Sequence, residues 1–382
     1  MKSRTFVIKP YSTKTVEEPI IAEMGGLIKK ICLSTLLMFQ CLVFVYGQDP
    51  SFAQFYQFRT YLNPAATGSE RGLNVAMIYK NQWNYVPGGF NTYGISMDVQ
   101  SARISSGIGI MAYRSVEAKT LQTNYFSASY AYIARISKNV NLHIGLNAAF
   151  VNKSLDRSRL IFTDELDPEV GVVPGGSSTN VVLRKINMFD LDAGVLLRFR
   201  YDIHDRPVHN SLGFAVHHLT RPDESFQNIS TKVPMRFTVS YGAIFPISRG
   251  KNKRNIDFYV SPVFKFDFQE KLRVYNAGMF ATFKPLYAGV MYQFNKYSNQ
   301  SSQGLIFVGG IDWDLGVDNF MTLNVGYSYQ LDFTGVTSKS RGQHEVSMRM
   351  NFNNVAIKMD KKKKGKRINC YEFPSKNAVK LF

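Results

Sequence analysis

Between Gly72 and Phe352 apolar and polar residues alternate with a period of two, stretch after stretch, and no other feature of the sequence restricts the fold as much. Successive side chains of a strand point to opposite faces, so this rhythm marks strands with one apolar and one polar face. From Phe320 to Leu331, Met321, Leu323, Val325, Tyr327 and Tyr329 share one face, while Thr322, Asn324, Gly326, Ser328 and Gln330 share the other. The pattern repeats near Phe189–Arg200, Met235–Phe245, Ile256–Phe268 and Val346–Phe352. Weaker versions occur near Gly72–Tyr79, Thr92–Val99, Gly107–Tyr113, Gln122–Ile136, Val140–Lys153, Ser211–Leu219, Leu272–Phe283, Leu286–Phe294 and Gly304–Trp313. That makes about 14 strands, at roughly 20 residues per strand and turn, whereas soluble sandwiches turn every 8–12 residues or so. Strands of roughly ten residues, even in number, with one apolar and one polar face, are the signature of a transmembrane antiparallel β-barrel with a polar lumen.

Composition agrees. The chain has 29 Phe, 21 Tyr and 28 Gly but 2 Trp, which suits strands better than helices. With 45% hydrophobic and 19% charged residues it is not a disordered chain. Only one long apolar run is present, which excludes a bundle of transmembrane helices. Loop lengths set the phase. If Gly72–Tyr79 runs outward, the longest connections, Ser154–Met188, Thr220–Pro234 and Gln330–His344, fall outside, as in outer-membrane barrels. Lys80–Asn91, Arg114–Leu121, Gln269–Lys271 and Asn295–Gln303 share that side, and Tyr201–Asn210 is read as an internal turn.

The two ends differ from the body. Lys29 and Lys30 precede an apolar run from Ile31 to Tyr46 that closes on Gly47, the pattern of a secretory signal, so 1–47 reads as leader and signal peptide with Met24 as the expected initiator. Cys41 fits a lipoprotein box poorly, because Phe39 and Gln40 precede it. After cleavage Cys370 is the one cysteine left, so no disulfide can form within the mature chain. Of the net charge of +18, residues 1–47 carry +3 and 358–382 carry +7, leaving +8 for the body. The basic balance is therefore no argument for nucleic acid, least of all behind a signal peptide. Residues 48–71 form an N-terminal segment, periplasmic or a plug, 72–352 the barrel, and 353–382 a basic tail. Phe52, Phe55, Tyr56, Phe58 and Tyr61 are too many aromatics for a solvated leader. They fit a luminal plug, a layer packed under the barrel, or a partner dock. The run Lys361, Lys362, Lys363, Lys364, Lys366 and Arg367 is either a solvated end or a dock for an acidic partner.

Catalytic, cofactor and metal constellations do not assemble. His204 and His209 fall in an expected solvated turn. His217 and His218 are neighbours on an expected strand, so their side chains would point to opposite faces. Asp98, Asp190, Asp192, Arg198, Arg200, Arg236, Asp257, Lys265, Asp267, Glu345 and Arg349 fall on the lumen face with both signs of charge. They would either line a passive solute channel or pair across a closed lumen.

Several motifs are more specific in order and spacing than alone. Gln48-Asp49-Pro50-Ser51-Phe52-Ala53-Gln54-Phe55-Tyr56 is followed by Tyr61-Leu62-Asn63-Pro64-Ala65, Gly68 and Gln82-Trp83. GFAVHHLTRPDESF spans Gly213 to Phe226, VGYSYQ spans Val325 to Gln330, and His344-Glu345-Val346 opens the last strand. Cys370-Tyr371-Glu372-Phe373 follows the lysine run. Over Gln48 to Phe373 the chain resembles the PorP/SprF family of outer-membrane proteins of the type IX secretion system of Bacteroidetes. It departs from the family at Tyr371, in the Ser375–Phe382 extension and in the Met1–Glu23 extension. The resemblance implies a non-enzymatic outer-membrane protein that needs no cofactor. It also implies outer-membrane lipid, periplasmic ring lipoproteins and large secreted adhesin-like cargo as partners, and a link to gliding motility. With the lone residues Asn63 and Pro64, the aromatics of 52–61 and the lysine run are the expected plug or partner contacts.

Overall fold

The computed structural model describes residues 49–83, 88–101, 104–161, 165–167, 169, 171–172, 185–204, 206–226, 230–248, 258–298, 300–315, 320–333 and 342–353. The expected signal region, Met24, Cys370, Asp257 and the basic run Lys361–Arg367 lie outside these residues.

The strands, in chain order, are β1 (Leu73–Gln82), β2 (Phe90–Ser101), β3 (Ser106–Glu117), β4 (Leu121–Arg135), β5 (Val140–Leu155), the short pair β6 (Leu166–Asp167) and β7 (Gly171–Val172), β8 (Ile186–Ile203) and β9 (Arg206–His217). Then come β10 (Arg236–Ser248), β11 (Phe258–Gln269), β12 (Leu272–Phe283), β13 (Leu286–Tyr297), β14 (Gln300–Leu315), β15 (Met321–Asp332) and β16 (Gln343–Phe352). All but β6 and β7 form one closed antiparallel barrel of 14 strands. Each pairs with its sequence neighbour, β5 pairs with β8, and β1 meets β16 from Leu73↔Phe352 to Gln82↔Gln343. Closure leaves no unpaired edge, the condition for a sheet to cross a bilayer.

The expected faces are the observed ones. Phe189 is 76% exposed and Asp190 1%. In β15, Val325 and Tyr327 point outward while Asn324 and Ser328 are buried inward. In water such an apolar exterior would be an association hazard; in a bilayer it is the wetted surface. Exposed Tyr79, Tyr93 and Tyr327 mark one rim and Tyr130, Tyr132, Trp313 and Phe320 the other, as interfacial aromatic girdles do.

The connections at 83–89, 156–185, 218–235 and 333–342 share one end, the long-connection end. At the other, short-turn end no connection exceeds 249–257, and there β1 starts and β16 finishes. Several strands outrun their sequence signal. The expected loop Asn295–Gln303 shrinks to 298–299, and the expected turn Tyr201–Asn210 to 204–205. Near the rims the outward residues turn polar, so alternation fades although the backbone ladder continues. His209 is accordingly not in a solvated turn: it lies in β9 and is 3% exposed.

Candidate functional site

Residues 49–72 run inside the barrel from the long-connection end to the short-turn end. Asp49 meets His218 and Arg236 at the long-connection end, and Gly72 hands over to β1 at the other. Phe52, Phe55, Tyr56 and Phe58 are each at most 4% exposed, and Asn63 and Pro64 are buried. One apolar cluster joins Phe52 and Phe58 to Ile78, Met111, Tyr113 and Tyr125 of the wall, with Tyr61 packed against it. A second joins Phe55 and Tyr56 to Val263, Phe280, Tyr287 and Met291. The rings of Tyr56 and Phe280 meet edge-on at 4.9 Å, a geometry that aromatic quadrupoles favour.

Between these apolar contacts the wall's polar face is matched group by group. Glu345 accepts the backbone N–H groups of Ala53 at 2.9 Å and Gln54 at 2.6 Å. Ser347 donates to Gln54 at 2.7 Å, Gln57 donates to Asn324 at 2.5 Å, and Lys80 donates to the carbonyl of Ser51. Farther down, Asn63 accepts from the N–H of Ala65 at 2.8 Å and so caps the turn Pro64–Ala66. Its amide donates to the carbonyls of Val195 and Phe214, so one side chain ties that turn to both β8 and β9. Arg59 pairs with Glu70 at 2.7 Å, and Glu70 accepts from Asn351 at 3.1 Å. The N–H of Gly68 donates to Asp98 at 2.9 Å.

Close approach needs missing side chains on the wall. A Cβ at Gly145 would lie 2.3 Å from the nitrogen of Ala65, and one at Gly194 would lie 2.0 Å from the Asn63 oxygen. Both glycines sit on the inward phase of their strands, notches into which the 63–65 turn fits.

At the long-connection end the segment is fastened by charge. Nε2 of His218 donates to Asp49 at 2.7 Å, Nδ1 donates to Asp190, and Arg236 reaches Asp49 at 3.0 Å. Both ring nitrogens face carboxylates, so the ring is an imidazolium. Burial alone would lower its pKa; the attraction of Asp49 and the hydrogen bonds to Asp190 and Asp49 outweigh it and push it up to about 10. Burial would likewise raise the carboxyl of Asp49, but His218 and then Arg236 hold it well below the usual carboxylate range. His218 can reach this position because its φ of 59° ends β9 and breaks the strand's alternation. His217 and His218 therefore both turn inward, contrary to the expectation of opposite faces, and His217 lies 3.5 Å from Asp192. A non-glycine residue in that backbone region is strained, and the ion pairs hold it there.

Asp190, Asp192 and His218 are close enough to suggest a metal site. With both nitrogens engaged, however, His218 has no lone pair for a metal and none with which to activate a nucleophile. Of the expected luminal charges, Lys265 pairs with Asp267 at 2.8 Å, Arg236 with Asp49, and Asp190 with His218. Sequence reasoning did not single out Asp49, Gln54, Gln57 or His218 as contacts. The available signals were the polar residues interleaved with the aromatics of 49–63 and the glycines on the polar phase of the strands.

A family model described as type IX secretion system membrane protein PorP/SprF matches residues 44–350. No curated relative matches the chain. Among solved structures, a Pseudomonas aeruginosa FadL homologue is similar at 12% identity and a TM-score of 0.39, over 78% of this chain and 94% of that one. The Pseudomonas putida toluene transporter TodX is similar at 10% identity and a TM-score of 0.39, over 81% of this chain and 100% of that one.

Proposed function

The chain belongs to the PorP/SprF family of type IX secretion system membrane proteins, and on that premise we propose that this outer-membrane barrel is a non-catalytic component supporting export or surface attachment of large adhesin-like cargo. In this reading it works through protein partners and serves gliding motility. Its long connections face outward, and the short-turn end, with both ends of the strand set, faces the periplasm and the ring lipoproteins. The tail run Lys361–Arg367 then lies on the periplasmic side and attracts an acidic partner, an attraction that weakens with salt.

One observation carries the choice between a partner-binding component and a passive solute channel. The lumen holds the chain's own residues 49–72, docked through two apolar clusters and a series of hydrogen bonds down its length. A solute path would have to displace them. The test is affinity purification from detergent-solubilised outer membranes. A large secreted protein and periplasmic lipoproteins should co-purify. A barrel that purifies alone after mild cross-linking, and moves small solutes in liposomes, would overturn the reading.

A further inference from the structure

The contact that fastens Asp49 has the form of a receptor and its ligand, except that the ligand is part of the same chain. Two donors of the wall, His218 Nε2 at 2.7 Å and Arg236 Nη1 at 3.0 Å, converge on a single oxygen, Asp49 Oδ2. Charge-assisted donors aimed at one point are how proteins recognise a carboxylate. Both donors are fixed independently of Asp49. The far side of the His218 ring is held by Asp190, and its backbone N–H donates to Asp192 at 3.1 Å. Arg236 also donates to the hydroxyl of Tyr61 at 3.2 Å and lies over that ring.

Beside this point lies a small pocket of about 40 Å³, lined by Asp49, Pro50, Phe55, Leu62, Arg236 and Leu272 among others. It lies next to the two-residue turn 270–271, where the rim is low. Arg236 is 9% exposed, and its Nε has no hydrogen-bond partner among the described residues. A buried guanidinium N–H without an acceptor is costly, and Arg236 is among the residues that line the pocket.

Of the three cations at the point, Arg236 alone depends on Asp49 for its ion pair among the described residues. Asp190 opposes His218, and Asp267 opposes Lys265 at 2.8 Å and lies near Arg236. If Asp49 leaves, the site loses one carboxylate and leaves two donors unmet, so what fits is another carboxylate. A tethered group acts at an effective concentration of order millimolar, so a free carboxylate alone competes poorly. A competitor must add contacts, and the wall cluster around Ile78 and Met111 that now packs Phe52 supplies them for a chain that continues from the acidic residue into apolar ones, as Asp49-Pro50-Ser51-Phe52 does.

We propose that His218 and Arg236 form a binding site for the carboxylate of an extended acidic peptide with apolar neighbours, occupied in the resting barrel by the chain's own Asp49. A partner segment of that chemistry arriving at the long-connection end would take the site and free the first residues of the luminal segment. The identity of the partner class rests on the secretion reading above, but the site itself does not.

The test uses the full mature protein in detergent and a fluorescent peptide of sequence DPSFAQF, with NPSFAQF as control. Asp49→Asn removes the resident carboxylate, and this variant should bind DPSFAQF at least tenfold more tightly than the unaltered protein does. NPSFAQF should show no such gain. Adding Arg236→Gln to Asp49→Asn should remove the gain, and Asp49→Ala serves if the Asn variant folds poorly. Equal affinity of the two peptides for the Asp49 variants, or a gain that survives loss of Arg236, would overturn the proposal. Failure here with retained co-purification of secreted cargo would leave the secretion reading standing; the reverse result would remove that reading and keep the site.

Discussion

Glu345→Ala should loosen the entering half of the luminal segment without opening the barrel. In the structure the carboxylate accepts from Ala53 N at 2.9 Å, a part-buried bond, and from Gln54 N at 2.6 Å, a buried one, and Glu345 is 2% exposed. Hydrogen bonds to a charged acceptor are worth about 1.5–3 kcal/mol each, so the pair contributes about 3–6 kcal/mol to docking. The ladder bonds of β16 are backbone bonds and survive the substitution, as does the bond from the Gln54 amide to the Glu345 carbonyl. At about 1.4 kcal/mol per decade, local opening of residues 49–58 becomes roughly 10²–10⁴ times more populated. Glu345→Gln keeps one acceptor oxygen and should give roughly the square root of that factor. Hydrogen–deuterium exchange of the peptide covering 49–58, with strands β13–β16 as internal reference, measures it. Exchange of that peptide at the unaltered rate in Glu345→Ala would refute the reasoning, since two N–H groups, one of them buried, would then have lost their acceptor without consequence.

Val325 faces lipid near mid-strand, so Val325→Lys should destabilise the barrel by about 2–4 kcal/mol in a denaturant titration in lipid. Asn324 accepts from Gln57 at 2.5 Å and Tyr287 at 3.1 Å, so Asn324→Ala should instead leave barrel unfolding nearly unchanged and raise proteolysis within 49–58. The fastening at Asp49 should be pH-dependent with a definite sign. The pKa of His218 is raised from 6.5 to about 10 by Asp49 and Asp190 together, so its contact with Asp49 is complete below about pH 6.5 and lost as pH rises through about 10. Asp49 is shifted down from 3.8, so its contribution is complete above about pH 4 and declines only in acid. Protease sensitivity of 49–58 should therefore be flat from pH 4 to 6.5 and climb as pH nears 10; His218→Gln should abolish the climb.

The barrel was legible because a wall between lipid and a polar interior imposes one rule on every strand, and period-two alternation records that rule residue by residue. Its limits were less legible, since β9 begins at Arg206 and β14 at Gln300, in stretches where the rim's outward residues are no longer apolar. The aromatics of 52–61 announced a contact, but which contact depends on partners 200–290 residues away, such as Glu345 for Gln54 and Tyr287 for Gln57. No local pattern encodes such pairings. His218 escaped for a different reason: alternation assigns it outward, and a single left-handed residue reverses the assignment. The glycines at 145 and 194 carry no side chain to announce a contact, and their role shows only where the 63–65 turn occupies the space beside them.

The central claim is that this member of a secretion family is a barrel closed by its own N-terminal residues, and single-protein conductance in a planar bilayer tests it most directly. The mature protein should insert silently, while a deletion of residues 49–66 should insert and conduct with ohmic, steady openings. Steady conductance by the unaltered protein, equal to that of the deletion, would contradict the claim and make the barrel a solute channel.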